Sequence, residues 1–156
     1  KKEIALPAEL LANEIRFGFE GITVAGDWLW MAVQREWKDD PKGMVKLLAY
    51  NTAEEKWGAV HYPLDALAEG TAETAWMGLS EITVHGDWVY IVERDNQVGA
   101  AAATKKIYRV KAADMVPAEL GGALPVMMWQ PRTRAVRRRW PPASISSIRP
   151  TCTRWG

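Results

Sequence analysis

The chain has 156 residues, a formal net charge of +1, 25% charged residues and 48% hydrophobic ones, which excludes a fibrous or disordered polymer and leaves room for about one domain. No apolar run approaches the roughly 18 residues of a membrane helix, and the opening KKEIALPAEL lacks an apolar stretch leading to a cleavage site, so neither a membrane span nor an export signal is expected. One cysteine, Cys152, and two distant histidines, His61 and His85, exclude a disulfide framework and a cysteine-rich zinc site and argue against a histidine metal centre.

In chain order, Pro7 to Ile15 is expected as a short helix or loop. GFEGITVAGDWLWM, Gly18 to Met31, then sets a β-branched run against an aromatic and aliphatic run across Gly26-Asp27, the pattern of a β-hairpin whose glycine supplies a positive φ. Met44 to Tyr50 reads as a third strand, and NTAEEKW turns into a fourth, Trp57 to Tyr62. YPLDALAEGTAETAWMG is too long for a hairpin loop and predicts a crossing to another sheet. GLSEITVHGDWVYI, Gly78 to Ile91, repeats the first hairpin 60 positions later, with seven of fourteen residues identical and a turn at Gly86-Asp87. A further strand is expected over Lys106 to Val110.

The repeat organises the fold. It predicts an all-β, β-propeller-like fragment of about two four-stranded antiparallel blades, with a small sandwich of two similar hairpin units as the alternative. The partial domain is expected over residues 1–125 and a basic, irregular tail over residues 126–156. That tail holds seven arginines, no lysine and no acid, whereas the first 125 residues hold thirteen bases against nineteen acids. The tail shows neither strand nor helix periodicity. A nucleic-acid arm with stacking Trp129, Trp140 and Trp155 is one reading, and an out-of-frame or artefactual end is the favoured one, so no nucleic-acid partner is expected.

In an antiparallel hairpin the start of the first strand and the end of the second share one edge. Glu20 shares its edge with Gln34, Arg35 and Glu36, and Glu81 shares the corresponding edge with Glu93, Arg94 and Asp95. Asp27 and Asp87 fall in the opposite turns, where aspartate accepts backbone hydrogen bonds. Carboxylates brought to one mouth raise one another's pKa or recruit a cation, and the loop acids Asp39, Asp40 and Asp95 with Asn96 fall on that side. None of them has EF-hand spacing. Glu93-Arg94-Asp95 reads equally as a local ion pair anchoring a loop, while Glu20 favours a site role because a charge serves packing poorly at a buried mouth. Trp28, Trp30, Trp88 and Tyr90 are expected between sheets, and neither histidine receives a catalytic role. No nucleophile elbow, phosphate loop or zinc helix is present.

RFGFEGITVAGDWLWMAVQRE, HYPLD, LSEITVHGDWVYIVERD and KKIYRV, in that order over Leu6 to Pro125, resemble the bacterial phytase-like domain called "esterase-like activity of phytase". The GFEG, YPLD and ERD blocks carry the likeness. It implies a propeller-like, periplasmic or secreted hydrolase of phosphate or carboxylic esters, taking a small-molecule substrate and using calcium (Ca2+) as the candidate cation. Residue by residue, it implies Glu20, Glu93 and Arg94 as catalytic positions, Arg94 being the anion contact, and Glu20, Glu93 and Asp95 as metal ligands. After about Pro125 the family pattern is not continued, which a frame change near Val126 would explain. A non-catalytic propeller module binding a ligand or partner at its mouth is the alternative function.

Overall fold

Two β-branched runs, each ending in Gly-Asp and followed by an aromatic run, fold back on themselves and set the architecture. In the computed structural model, which describes residues 1–127, β1 (Phe19–Ala25) pairs antiparallel with β2 (Trp28–Val33), and β5 (Met77–His85) with β6 (Trp88–Asp95). Gly26 (φ 61°) and Gly86 (φ 57°) take the left-handed conformation that the tight turns require. The repeat extends to its irregularities. The register shifts between Phe19 and Gly21 and between Leu79 and Glu81, leaving Glu20 and Ser80 as extra residues at matching places. Such bulges bend a strand and re-aim the side chains beyond them.

β3 (Met44–Asn51) and β4 (Lys56–Pro63) extend the first hairpin, and β7 (Lys105–Lys111) extends the second. Pro7 to Ile15 contains one helical turn, α1 (Ala8–Leu11). Neither sheet closes into a barrel, and the architecture is consistent with propeller-like blades. The sheets differ from the expected four strands each. The second has three, in the order β5-β6-β7, because after β7 the chain turns through a 3-10 segment at Ala112–Asp114 and returns to the first. There β8 (Ala118–Glu119) pairs with Gly58 and Ala59 as a fifth strand. Gly58 admits it, since a Cβ at that position would stand 2.8 Å from the Ala118 carbonyl oxygen.

Val126 then bridges to His61, and Met127 is buried in the core, so the packed chain runs past the boundary expected at residue 125. The rest of the basic segment, with its tryptophans and cysteine, lies outside the described residues.

The sheets stack through unlike faces. Trp30, Ala32, Leu47 and Tyr62 of the first meet Leu79, Ile82, Val89 and Ile91 of the second in one apolar cluster. β1 runs beside β5, with the Val84 N–H donating to Thr23 Oγ1 at 3.0 Å. Gly21 allows that approach, as a Cβ there would stand 2.7 Å from the Ile82 nitrogen. The other face of the first sheet, with Met31, Val33 and Leu48, is covered in part by Leu10 of α1 and by Trp37. Of the aromatics expected between sheets, Trp30 and Trp28 join the central cluster, whereas Trp88 and Tyr90 lie half-buried on the far side of β6. Alternation along β6 gives the inner face to Val89, Ile91, Glu93 and Asp95.

Candidate functional site

The polar residues of β6 are sorted by that alternation. Glu93 is fully buried, facing the first sheet, and meets the YPLD segment that leaves β4. Tyr62 Oη donates to Glu93 Oε2 at 2.7 Å, and the Asp65 N–H donates to Glu93 Oε1 at 2.6 Å. Burial pushes the Glu93 carboxyl above its ordinary pKa; the two donors oppose that shift without cancelling it. Burial, reinforced by the Glu93 charge, also holds the Tyr62 phenol far above its usual range. Tyr62 and Glu93 therefore lock one sheet to the other.

Asp65 turns its carboxylate outward. Tyr108 Oη donates to Asp65 Oδ2 at 2.6 Å, and the Lys106 ammonium pairs with the same oxygen. With 34% of its side chain exposed, Asp65 can meet a ligand while Glu93 fixes its backbone. Partial burial raises its pKa, but Lys106 and Tyr108 more than offset this and leave it below the ordinary value. Asp65 in turn raises Lys106, and burial with Asp65 pushes Tyr108 up to about 12. At neutral pH the trio is carboxylate, ammonium and phenol.

Asp95 faces the same way as Glu93 yet serves a different loop. It is 1% exposed and accepts from the N–H groups of Gln97 (3.0 Å), Ala103 (2.8 Å) and Thr104 (2.5 Å) and from Lys105 Nζ (2.6 Å). Burial pushes its pKa up, but the Lys105 ammonium and these N–H donors prevail and hold it below the usual carboxylate range. Arg94 points to the opposite face, where Nε donates to Ser80 Oγ at 2.6 Å and Nη1 to the Asp95 carbonyl at 3.3 Å. Glu20 sits in its bulge, exposed rather than at a buried mouth.

Glu93 and Asp95 thus share the inner face of β6, while Arg94 takes its other face and Glu20 an exposed bulge of β1. Among the described residues no group of three or more His, Cys, Asp or Glu is arranged to hold a metal. Calcium takes six to eight oxygens, while the Glu93 and Asp95 oxygens are occupied by protein donors. This donor set does not fit the ion. Asp40, expected at the same mouth, is buried elsewhere, with Lys46 Nζ at 2.5 Å and His61 Nε2 at 3.1 Å. Lys46 and His61 border a cavity of about 280 Å³, whose walls include Asn13 and Asp39.

Tyr62, Asp65, Lys106 and Tyr108 were not singled out by sequence reasoning, although they lie in the YPLD and KKIYRV blocks. Their signal was that two family blocks distant in sequence each contain a tyrosine next to charge. No helix among the described residues is long and apolar enough to cross a membrane.

A family model described as "Phytase-like: Esterase-like activity of phytase" matches residues 1–137. No curated protein and no solved structure gives a significant match.

Proposed function

Starting from a chain that belongs to the phytase-like family, we propose that it is a hydrolase domain for phosphate or carboxylic esters whose reactive edge is formed by Asp65, Lys106 and Tyr108. The observation that carries this reading is the meeting of three family blocks: YPLD and ERD through Glu93, and YPLD and KKIYRV through Asp65. A carboxylate, a cation and a hydroxyl on one partly exposed surface supply the parts of water-driven ester cleavage. Asp65 takes a proton from the attacking water as oxygen bonds to the phosphorus or acyl carbon. Lys106 balances the charge on the substrate's oxygens. The departing ester oxygen leaves with the proton that Asp65 took from the water, while Tyr108, whose hydroxyl hydrogen is donated to Asp65 Oδ2, orients that carboxylate. Glu93 is a positioning residue, because it is fully buried and holds Tyr62 and the Asp65 backbone.

The test is hydrolysis of an aryl phosphate and an aryl acetate by the purified chain and by Asp65→Asn. The expected result is a loss on the order of 10²-fold in kcat for Asp65→Asn. Glu93→Gln should lower kcat less. Rates equal in wild type and Asp65→Asn reject the assignment, and no hydrolysis of either ester by wild type favours a non-catalytic binding module. One observation supports that second reading: Glu93 and Asp95 are saturated by protein donors, as structural carboxylates are.

A further inference from the structure

The described part of the chain is acidic, yet its arginines have no acidic partners. None of the ion pairs among the described residues involves an arginine. Three of the arginines gather where β1 begins, β2 ends and β6 ends, around one aromatic pair. The rings of Phe17 and Trp76 lie 5.3 Å apart. The Arg35 guanidinium is 5.0 Å from the Phe17 ring centre and 4.7 Å from that of Trp76. Arg94 is 5.6 Å from the Trp76 ring, and Arg16 is 5.5 Å from the Phe17 ring.

Two acids beside these arginines in sequence are engaged elsewhere. Glu36 accepts from the Gly43 N–H at 2.7 Å, and Asp95 faces Lys105 and its loop. Arg35 Nε is buried without a hydrogen-bond partner. A buried, unpartnered donor on a permanent cation costs stability unless something completes it. Aromatic faces orient guanidinium groups but accept none of their in-plane hydrogen bonds. What the cluster lacks is an acceptor carrying negative charge.

We propose that Arg35 and Arg94, assisted by Arg16 and held by Phe17 and Trp76, form a subsite for the phosphate group of a phosphorylated small molecule. A planar guanidinium presents paired donors that match phosphate oxygens: Arg35 offers its fork, and Arg94, whose Nε and Nη1 are given to Ser80 and the Asp95 carbonyl, adds its charge and its remaining Nη2. The inference goes beyond the hydrolase reading: Arg94 lies on the face of β6 opposite Glu93 and the Asp65 edge, so the cluster binds phosphate apart from the ester under attack. Binding of phosphate itself does not depend on that reading.

The experiment is calorimetric titration of the purified chain with inorganic phosphate, in wild type, Arg35→Gln, Arg35→Lys and Arg109→Gln. Arg109 stacks on Trp88 at 4.2 Å and is a control for charge alone. The expected result is that Arg35→Gln weakens phosphate about tenfold or more and Arg35→Lys, which keeps charge but not the fork, about threefold to tenfold, with Arg109→Gln unchanged. Thermal unfolding of each variant identifies loss of fold; should Arg35→Gln fail to fold, Arg35→Lys carries the comparison. Equal affinity in wild type and the folded Arg35 variants, an equal loss in Arg109→Gln, or no phosphate binding by wild type overturns the proposal. Phosphate binding that depends on Arg35, in a chain that hydrolyses no ester, would sustain the subsite and reject the hydrolase.

Discussion

The two hairpins align residue for residue, and one of their differences falls at a position buried in both. Val33 in the first and Glu93 in the second pair with Phe19 and Leu79 respectively, and both are fully buried. Where the first hairpin uses a hydrocarbon, the second uses a carboxylate and supplies it with a tyrosine hydroxyl and a backbone N–H. The next contrast lies two residues on: Arg35, with an unpartnered buried nitrogen, corresponds to the saturated Asp95. The same turn chemistry and strand pattern therefore fix the backbone twice, while the edge residues are free to diverge. Because a core carboxylate costs stability unless fully bonded, Glu93 marks where the second unit has been given a specific task.

Exchanging the two side chains is the severest way to break this comparison. Val33→Glu puts a carboxylate among Met31, Leu48 and Trp37, with no partner supplied, and should destabilise the protein by about 3 kcal/mol or more. Glu93→Val removes the acceptor from Tyr62 and from the Asp65 N–H and should cost about 2–4 kcal/mol. Urea unfolding measures both. A loss under about 1 kcal/mol for Glu93→Val would show that the inter-sheet lock is not stabilising.

Acidity separates Glu93 from Asp95 more gently. Asp95 has a depressed folded-state pKa, so its stabilisation is complete above the unfolded value, about 3.9, and is lost as pH falls through the lower folded one. Glu93 has a raised pKa, so its contribution is complete below about 4.3 and declines as pH rises through the folded value. Asp95→Asn should flatten the loss of stability below about pH 4, and Glu93→Gln the decline on the way up from there. Unfolding measured from pH 3 to pH 8 checks both; identical profiles for wild type and the two variants would remove the linkage. The smallest effect tests likeness rather than difference. Gly26→Ala and Gly86→Ala, both at positive φ with open space around them, should each cost about 1 kcal/mol and by similar amounts.

The repeat, both turns and the strands from Phe19 to Lys111 were legible because they depend on local pattern: β-branched runs, Gly-Asp turns and alternation. The hairpin edges that Glu20 shares with Gln34 and Glu81 shares with Glu93 followed from the same geometry. Their surroundings did not. Each bulge adds one residue to a strand, so Glu20 falls outside the alternation, and burial of Glu93 depends on Tyr62, 31 positions away. The pairing of β8 with β4 rests on a missing Cβ at Gly58 that no periodicity announces. Arg35 was visible only as one member of a polar triplet, since its distinguishing property is what it fails to touch.

Like faces do not meet among the described residues. The first sheet offers its Trp30 face to the Ile82 face of the second, while the counterparts of Leu79 and Ile82, namely Phe19 and Ile22, remain 42% and 61% exposed, with Val24 at 59%. At the other end, the counterparts of Trp28 and Trp30, Trp88 and Tyr90, are only half-covered. A contact between unlike faces is heterologous: it has a head and a tail, and each unit added restores the same two open faces until a rotation brings the last to the first. A further unit packed through these faces would therefore join head to tail, in a ring if the rotation closes and in a growing filament if it does not, rather than stopping at a two-fold pair.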